Sequence, residues 1–441
     1  MIISSPVKNL IRQAASNGAG GLARLFTLGA TIITPSEHIV AYFPRDYTCL
    51  SLYNINRTDG GGITLDIQPG VYFNKILPFK DNLKLELREM EGIKQRVRLF
   101  TLIPLQTNSP TSAGTSSHAV NMSGLDTTHL VSYQFQLVDM GYAILKNKEA
   151  SDIHLMANLE EALKGSLLSN SVGVNLPEPD NFKGVEMETP LTNVRRYRQV
   201  DIPQGTRLID LPTFLQEDPR YGLYNKGLGS YYIKGIWYIY PLYGLGRYNR
   251  AKFVLNVYRI PEDIMPTVEN TYYLNEKSVT VLGLGKGQNI DNRDITRQNK
   301  GIGKRVMLAD ALNGDAGYYY AKSSAITTET DVMVGFKTAE RGDGNEFIPL
   351  DLTPSNNYCH PMSMAAFNDG EIITVQWHNS DCSLLVPGMP VKYYYMKDDV
   401  VAIKEGTLLG RKTEYQIEKT DKNPVFREHT MLQLFLIDIE E

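Results

Sequence analysis

Alternation of apolar and polar residues is the main pattern along this chain. It is clearest over 84–90, where Leu85 and Leu87 alternate with charged residues, and at the start of 96–103. Such alternation predicts β-strands with one face in a core and the other in water. Short β-branched and aromatic runs, separated by Gly and Pro, predict further strands from Ala30 onward and again over the last hundred residues. Strand patterns far outnumber helical ones, so the pattern predicts a mainly β protein.

Three segments have the spacing of helices. Apolar residues three or four apart predict a short helix at the start of 5–26, which glycines then end. Ser151 and Asp152 are placed to cap a second helix that runs to about Gly165. A third short helix is predicted after Pro212, a residue that favours the first turn of a helix.

Glycine and proline divide the chain. The run 59–62 contains three consecutive glycines and predicts a turn, and the Ser/Thr/Gly-rich segment 107–124 predicts a loop or domain boundary. Near the start of the chain, a predicted strand is followed by Pro69-Gly70 and then by alternating strands. A similar order occurs near the end of the chain, around Pro387-Gly388, and we call this similarity the Pro-Gly echo. The echo indicates a duplicated β domain, although Pro-Gly turns also recur by chance in β proteins.

Composition narrows the class of protein. The 441 residues include 42% hydrophobic and 21% charged side chains, as in ordinary globular proteins. Lys+Arg 45 against Asp+Glu 49 gives a net charge of −4, which argues against a whole-chain nucleic-acid binder. Three cysteines are too few for a disulfide framework and favour a reducing compartment. No window of 18 apolar residues predicts a membrane span.

Sequence motifs for catalysis, cofactor binding or metal binding are weak. The sequence 283–287 imitates a dinucleotide loop but lacks the third glycine at the required spacing, which favours a hairpin or loop. Cys359, His360, His378 and Cys382 lie within 24 residues, yet adjacent residues on a strand point to opposite faces, so buried core cysteines are favoured over a metal site. We therefore assign no catalytic, cofactor-binding or metal-binding residue, and we expect no enzyme activity.

Tyrosine is unusually frequent, with Tyr 26 against Phe 14 and Trp 2. Its ring packs while its hydroxyl stays in contact with water, so tyrosine suits protein interfaces and half-buried strands. One aromatic block is a candidate partner-facing surface, and a tyrosine-lined domain core is the alternative. The block consists of Tyr221, Tyr224, Tyr231, Trp237, Tyr238, Tyr240 and Tyr243.

Several stretches occur in an order that covers most of the chain: ITLDIQPGVY at 63–72, LKLELR at 83–88, SYQFQLVD at 132–139, the helix near 155–163, IPQGTRLIDLPTFLQ at 202–216, YGLYNKG at 221–227, WYIYPLY at 237–243 and VPGMPV at 386–391. Together they resemble the baseplate hub protein of contractile-tailed bacteriophages. The resemblance implies a homotrimer in which each subunit contributes two tube-like β domains to a pseudo-sixfold ring. It also implies a tail tube protein above the ring, a central spike protein below it, baseplate wedge proteins around it, and genomic DNA passing only transiently through the lumen.

The resemblance sets the expected architecture. We expect a β-rich α+β protein with a first tube-like domain and N-terminal segment at 1–115, an intervening α+β region at 125–335 that contacts baseplate partners, and a second tube-like domain at 336–441. The expected location is the virion tail baseplate, after assembly in the host cytoplasm. No cofactor is expected.

A ring subunit needs long alternating strands, because one face packs while the other lines a channel. The candidate charges on such a lumen or solvent face are Lys84, Glu86, Arg88, Lys392 and Lys397. A conduit should not hold DNA tightly, and the net charge of −4 agrees with that.

Two other functions remain open. The chain resembles a tail structural protein in general, so a tube, terminator, adaptor or fibre-associated protein with sixfold order or an elongated trimer is one alternative. A β-rich carbohydrate-active enzyme is the other, and it would show convergent carboxylates in a concave polar pocket.

Overall fold

The structure of the chain is a computed structural model, and it describes residues 5–21, 24–41, 43–105, 130–191, 193–218, 220–261, 270–285, 289–291, 304–309, 316–322, 325–328, 346–347, 359–368, 370–397, 400–419 and 424–439. The predicted loop at 107–124 lies outside these residues.

The first third of the chain is built mainly of strands. After the predicted N-terminal helix, alternating burial along each strand follows the alternating sequence, and short helical turns at 69–79 interrupt the strands. The elements are α1 Ser5–Ala15, β1 Ala19–Gly20, β2 Leu25–Ile33, β3 His38–Ala41, β4 Phe43–Leu52, β5 Gly60–Ile67, β6 Lys84–Glu91, β7 Lys94–Pro104 and β8 Val131–Asp139.

The middle of the chain mixes helices with short strands. It includes the helix predicted after Pro212. The elements are α2 Met140–Leu145, β9 Glu149–Ala157, α3 Leu159–Ser171, β10 Gly184–Met187, β11 Tyr197–Arg207, α4 Leu211–Glu217, β12 Leu228–Ile233 and β13 Ile236–Pro241.

The last part returns to strands, as predicted. Two of these strands are long: β24, Val400–Lys419, has 20 residues and β25, Val425–Asp438, has 14. The elements are β14 Val254–Ile260, β15 Tyr272–Leu274, β16 Ser278–Leu284, β17 Asn289–Asp291, β18 Lys304–Ala309, β19 Ala316–Lys322, β20 Ala325–Thr328, β21 Glu346–Phe347, α5 Cys359–Asn368, β22 Glu371–Trp377, β23 Pro390–Lys397, β24 Val400–Lys419 and β25 Val425–Asp438.

Eight strands close into a first barrel. Going around it, β2, β6, β7, β8, β5 and β4 follow one another, and β24 and β25 close the circle by pairing with β4 and β2. Every pairing is antiparallel, and inward-facing Phe26, Leu87, Phe100 and Phe135 fill the centre. Closure pairs the strand edges that an open sheet would leave exposed.

Six strands close into a second barrel. The order around it is β16, β14, β23, β24, β25 and β22, with β14 parallel to both of its neighbours. Leu255, Val281, Trp377 and Leu434 belong to its core. The apolar face of α1 packs on the outside of this barrel, where Leu10 is fully buried.

The two barrels share the long strands β24 and β25. The first part of β24 pairs with β23 in the second barrel, and the part from Gly410 to Tyr415 pairs with β4 in the first barrel. The register against β25 shifts between Leu408 and Gly410, where β24 passes from one barrel to the other. The described strands of both barrels therefore belong to one continuous sheet. The mainly β prediction is confirmed.

Each barrel contains the same four-stranded antiparallel unit. Its strand order is β5-β8-β7-β6 in the first barrel and β22-β25-β24-β23 in the second. In both units the first strand leads into a connection that contains a Pro-Gly pair and a helical turn. A hairpin follows, and the fourth strand returns beside the first. The echo around Pro69-Gly70 and Pro387-Gly388 therefore coincides with a repeated topology.

The structure distributes the strands differently from the predicted domain ranges. Strand β8, which falls in the range 125–335, pairs with β5 and β7 in the first barrel. Strands β14 and β16, in the same range, belong to the second barrel. The reason is that hydrogen bonding between distant strands closes the barrels, so neither barrel is a continuous piece of the chain.

The predicted cap of the second helix is wrong. Ser151 and Asp152 lie in β9, which pairs with β11, and the helix α3 begins only at Leu159. Asn158 caps it, because its side chain accepts from the amide of Glu161 while the Glu161 carboxylate accepts from the amide of Asn158. This reciprocal capping box fixes the start of the helix.

The predicted turn at 59–62 is also wrong in part. Residues Gly60 to Gly62 already form the start of β5. A Cβ atom on Gly61 would lie 2.2 Å from the backbone oxygen of Thr48 on β4. Glycine is therefore required for the close approach of the two strands rather than for a turn.

The intervening region packs against the first barrel. Helix α3 and the ribbon β9-β11 enclose a core with Leu163, Val200 and Leu215. The amide of Tyr232 donates to the carbonyl of Arg57 in the first barrel. Among the described residues, no helix is long and apolar enough to cross a membrane.

Candidate assembly surfaces and the polar junction of the barrels

The aromatic block predicted as a partner surface lies mostly inside the chain. Tyr221, Tyr224 and Tyr240 are each 3% exposed, and Tyr231 and Trp237 are fully buried. Side chains without exposed area cannot contact a partner, so these five are part of the core. The alternative interpretation, a tyrosine-lined core, describes them.

Two members of the block keep part of their surface. Tyr238 and Tyr243 are half-buried and pack against the core of the second barrel. The ring of Tyr243 lies 4.7 Å from that of Phe435 and 5.4 Å from that of Phe367, measured between centroids. Only these two remain candidates for partner contacts.

The charges predicted on β6 share one outward face. Lys84, Glu86 and Arg88 alternate with the buried residues Leu85 and Leu87. Glu86 and Arg88 form an ion pair with each other. The face therefore carries both signs of charge on the outside of the first barrel.

The charges predicted on β23 have different environments. Lys392 is only 23% exposed in its side chain, lies 3.3 Å from the Glu405 carboxylate and sits 4.4 Å from the centre of the Tyr248 ring. It is thus held inside a local cluster and is not an open surface charge. Lys397 is exposed at the end of the strand. Strands β6 and β23 occupy the same position in the repeated unit.

An ionic cluster that the sequence did not predict ties the first barrel to the intervening region. Arg98 lies 2.8 Å from the carboxylates of both Asp139 and Asp180, and 4.0 Å from that of Asp59. The second Asp180 oxygen accepts from the amide of Leu99 at 2.8 Å. All three aspartates are at most 2% exposed. Buried charges of this kind are stable only when paired and hydrogen-bonded.

A second arginine joins this cluster from the shared strand β24. Arg411 lies 3.7 Å from Asp59 and donates to the carbonyl of Cys382 at 2.6 Å. Asp59 also accepts from the hydroxyls of Ser51 and Tyr231, at 2.6 and 2.8 Å. Asp59 is therefore the point at which both barrels and the intervening region meet. We call the set of Asp59, Arg98, Asp139, Asp180 and Arg411 the polar junction.

Burial shifts the pKa values of the groups around the polar junction. Burial raises the pKa of Asp139 to about 6, although Arg98 acts in the opposite direction. Burial and the neighbouring guanidinium groups of Arg98 and Arg411 lower the pKa of Lys234 to about 8. Both shifts follow from the cost of holding charge away from water.

A further arginine lies inside the first barrel. Arg24 pairs with Glu89 and lies 3.2 Å from Glu91 and 3.4 Å from Glu428. Glu428 accepts from the amide of Cys382 at 2.7 Å, and burial raises its pKa. This group holds β2, β6 and β25 together at the level where the two barrels join.

The sequence did carry a signal for these charges. Arg98 lies in phase with the buried residues Phe100 and Leu102, and Glu89 lies in phase with Leu85 and Leu87. A charged residue at an inward position of an alternating strand predicts a buried ion pair, although the sequence alone does not name its partner.

The cysteine and histidine cluster does not assemble into a site. Cys359 and Cys382 are buried, and burial raises the pKa of the Cys359 thiol to about 12. His378 instead faces His429, with 3.1 Å between their Nδ1 atoms, and the side chain of His360 lies outside the described residues. Over the described part of the chain, no three His, Cys, Asp or Glu side chains are grouped so that they could hold a metal ion.

The motif at 283–287 has a structural role where it is described. Gly283 lies in β16, whose seven residues are all buried between β14, β15 and β22. A strand in this position offers no helix N-terminus for a pyrophosphate.

No protein-family model matches the chain. No curated protein matches it in sequence.

Solved structures resemble the chain over nearly its whole length. The tail protein from Neisseria meningitidis MC58 has a TM-score of 0.44 and 11% identity, covering 93% of this chain and 96% of that one. The 43 kDa tail protein of prophage MuSo2 from Shewanella oneidensis has a TM-score of 0.46 and 8% identity, covering 92% and 98%. A chain of the p2 virion baseplate in its activated conformation has a TM-score of 0.31 and 9% identity, covering 91% and 98%.

In fold, the chain is similar to proteins of phage tails and baseplates. The repeated strand topology is the feature of the chain that bears on its function.

Proposed function

We propose that the chain is a structural protein of a phage contractile tail, and specifically the baseplate hub that joins the tail tube to the central spike. The observation that carries this proposal is the repeated unit, β5-β8-β7-β6 and β22-β25-β24-β23, within one polypeptide. Three such chains supply six similar units around an axis. A homotrimer can therefore match a hexameric tube with pseudo-sixfold symmetry.

The shared strands support a ring. A ring closes only if each subunit holds its two units at one fixed angle. Strands β24 and β25 pass through both barrels, so the two units cannot hinge about a flexible linker. The polar junction adds a second connection, since it joins Asp59 and Arg98 of the first barrel to Arg411 at the crossing point.

The closed barrels change how subunits would meet. A ring of open sheets would pair the edge strands of neighbouring subunits. Among the described strands, the barrels are closed through their own pairings, so the proposed ring contacts are made by outward side chains and loops. Tyr238 and Tyr243 are the remaining aromatic candidates for such contacts.

The proposed partners follow from the position of a hub. We propose the tail tube protein on one side of the ring, the central spike protein on the other and baseplate wedge proteins outside, with genomic DNA in the lumen only during ejection. The mixed charges of Lys84, Glu86 and Arg88 suit a surface that DNA passes, since only an excess of positive charge binds phosphates strongly. The proposed location is the virion tail baseplate, after assembly in the host cytoplasm.

We propose no catalytic activity for the chain. A glycosidase needs two carboxyl groups open to a sugar substrate. The carboxylates that converge here, Asp59, Asp139 and Asp180, are enclosed and bound to arginines. This arrangement favours a structural role over the carbohydrate-active alternative.

The symmetry of the purified protein tests the proposal. Native mass measurement should give three chains per particle, and averaged electron-microscope images along the axis should show six similar lobes around a central hole. A stable monomer would contradict the hub. Six chains in a ring would favour the alternative of a tube or terminator protein.

A further inference from the structure

Strand β25 changes partners where it passes from the second barrel to the first. Residues 430–436 pair with β22, and residues 425–427 pair with β2 along the same edge. Between these two ladders lie Glu428 and His429, and β24 pairs with both residues on the other edge. Their side chains therefore lie where the ladder with β22 ends and the first barrel begins.

The two side chains point to opposite faces of β25, as successive residues of a strand do. Glu428 points into the core, where its carboxylate accepts from the amide of Cys382 at 2.7 Å and lies 3.4 Å from Arg24. His429 lies half-buried on the outer face, and its Nδ1 atom is 3.1 Å from that of His378. On the outer face, two titratable rings therefore make the contact between the strands.

His378 continues the ladder of β22 and β25 by one position. Trp377 lies opposite Thr430, so the same register places His378 opposite His429. The next residue, Asn379, has a φ of 52°, and the chain leaves the extended conformation there. The two imidazole rings, which we call the histidine pair, therefore close the end of this ladder.

A hydrogen bond between two imidazole rings depends on their protonation. A neutral ring has one N–H donor and one nitrogen acceptor, so one Nδ1 donates to the other only while at least one ring is neutral. When both rings are protonated, both Nδ1 atoms carry hydrogen and no acceptor is left. Two positive charges then lie in contact and repel each other. A second proton therefore breaks the contact that closes the ladder.

Charged groups from β24 and β25 surround the histidine pair. Glu414 lies opposite His429 on β24, and its carboxylate is 2.8 Å from the ammonium group of Lys412. Arg427, two residues before His429 on β25, pairs with Glu418. Burial lowers the pKa of His429, the other ring and Arg427 act in the same direction, and the two glutamates act against them. Since both glutamates are bound to cations, they compensate a second proton only in part.

The loop after β22 is attached to β25 at this point. The amide of Ser380 donates to the carbonyl of Glu428 at 2.9 Å, and its hydroxyl lies 2.8 Å from that of Thr430. Asp381, the acidic residue of this loop, has a carboxylate 3.9 Å from the guanidinium group of Arg96 on β7. Because the loop begins at one ring of the histidine pair, a movement of that ring displaces these contacts.

We propose that the histidine pair is a pH-sensitive switch at the join of the two barrels. At neutral pH its hydrogen bond holds the end of β22 against β25. In mild acid the second proton separates the rings and releases the loop after β22. The proposal does not depend on the hub function, because both rings belong to one chain.

Titration of the rings in the natural full-length chain is the first test. Histidine-selective 15N labelling reports the protonation of each ring from about pH 8 to pH 5, and the single variants His378→Asn and His429→Asn assign the signals. We expect the two rings to take up their protons in two separate steps, since the second proton meets the charge of the first. Uptake by both rings in one step, near the ordinary histidine pKa of about 6.5, would overturn the proposal.

A variant that cannot be protonated tests the effect on stability. In the double variant His378→Asn with His429→Asn, the two amides can still form a hydrogen bond but do not ionise. The unfolded natural chain takes up both protons below about pH 6.5, whereas the folded chain resists the second, so stability falls as the pH falls. From pH 7.5 to 5.5, the unfolding equilibrium constant in urea should rise about five-fold more for the natural chain than for this variant.

The matched control is Gln376→Ala with Met431→Ala, a cross-strand pair on the same two strands. It should keep the pH dependence of the natural chain, because it leaves the rings in place. Glu428 and Asp139 are present in every variant, so their own titration cancels in the comparison. Parallel pH curves for the natural chain and the asparagine variant would refute the switch.

Hydrogen exchange locates the opening. After correction for the intrinsic rate, the protection of the Ser380 and Cys382 amides should fall about ten-fold from pH 7.5 to 5.5 in the natural chain and remain unchanged in the asparagine variant. An equal loss of protection in both chains would assign the opening to protonation of Glu428, which binds both amides, and overturn the proposal.

Discussion

Three carboxylates face two guanidinium groups in the polar junction. Arg98 and Arg411 together carry two positive charges, whereas Asp59, Asp139 and Asp180 carry three negative charges if all are ionised. One carboxylate therefore lacks a full positive charge to balance it. Burying an unbalanced negative charge away from water raises the free energy of the folded chain. The raised pKa of Asp139, about 6, is the expected result.

Removing Arg98 should be strongly destabilising. Arg98→Met leaves three buried carboxylates without their main partner, so we expect a loss of about 3–5 kcal/mol in the free energy of unfolding. Thermal and urea unfolding measure it. Arg88→Met is the matched control, because Arg88 is exposed, and it should change stability by less than about 0.5 kcal/mol. Similar stability of the two variants would show that the junction does not hold the fold together.

Asp139 should make stability fall as the pH rises from about 4 to 6. Its folded pKa of about 6 exceeds its ordinary value of 3.8, so over this range the folded chain keeps a proton that the unfolded chain releases. Asp139→Asn cannot ionise and can still accept from the amide of Tyr142 at the start of α2. The stability of this variant relative to the natural chain should increase from pH 4 to 6 and then level off.

Unfolding free energies at a series of pH values test this expectation. A difference between variant and natural chain that stays constant from pH 4 to 6 would contradict the raised pKa.

At the scale of the element, the hairpin β12-β13 depends on its two-residue turn. Lys234 and Gly235 have φ values of 51° and 77°, which the tight turn between twisted strands requires. A Cβ on Gly235 would lie 1.7 Å from the carbonyl oxygen of Asn181. The turn is thus fixed by backbone geometry and by a close neighbour.

Gly235→Ala should cost about 3 kcal/mol or more, because the backbone strain and the clash add together. Gly246→Ala is the control. Gly246 also has a positive φ, 70°, but a Cβ there would meet nothing within 4 Å, so only the strain of about 1 kcal/mol is expected. Unfolding midpoints of the two variants compare them directly, and equal losses would show that contact with Asn181 is unimportant.

Elements differ in how well the sequence predicts them. The strand β6 was predicted because its inward residues are apolar and its outward residues are charged, as one-sided burial requires. Part of the strand β9 was predicted to be helical because the apolar residues Ile153, Met156, Leu159 and Leu163 are spaced three or four apart. Its pairing with β11 decides its structure, and the paired residues are forty or more positions apart in the chain.

For the whole molecule, the shared strands make the barrels dependent on each other. Ending the chain after Lys397 removes β24 and β25 and opens both barrels, so we expect loss of the cooperative thermal transition seen by circular dichroism. Ending it after Asp438 keeps both strands and should leave the transition intact. A cooperative transition in the shorter chain would show that one barrel folds without the shared strands.

For the candidate surfaces too, the sequence pattern indicates which face of a strand a residue lies on, whereas the packing of the whole chain decides whether that residue is exposed. Lys84, Glu86 and Arg88 lie at the outward positions of β6, in phase with the alternation of the sequence. The pattern could not show that Trp237 is fully buried, because an aromatic residue suits a core and an interface equally well. Nor could it bring Arg98 together with Arg411, which lie more than three hundred residues apart in the chain.

The sequence by itself determined the mainly β class, the faces of the regular strands and the Pro-Gly echo of the repeated unit. These properties are local, because the alternation of apolar and polar residues and the Pro-Gly dipeptide each involve only neighbouring residues. Only the tertiary structure decided that two barrels share β24 and β25, that the aromatic block is core and that five charges meet at the polar junction. Strand pairing and burial depend on residues far apart in sequence. The free energy of bringing such residues together cannot be recognised from the pattern of neighbouring residues.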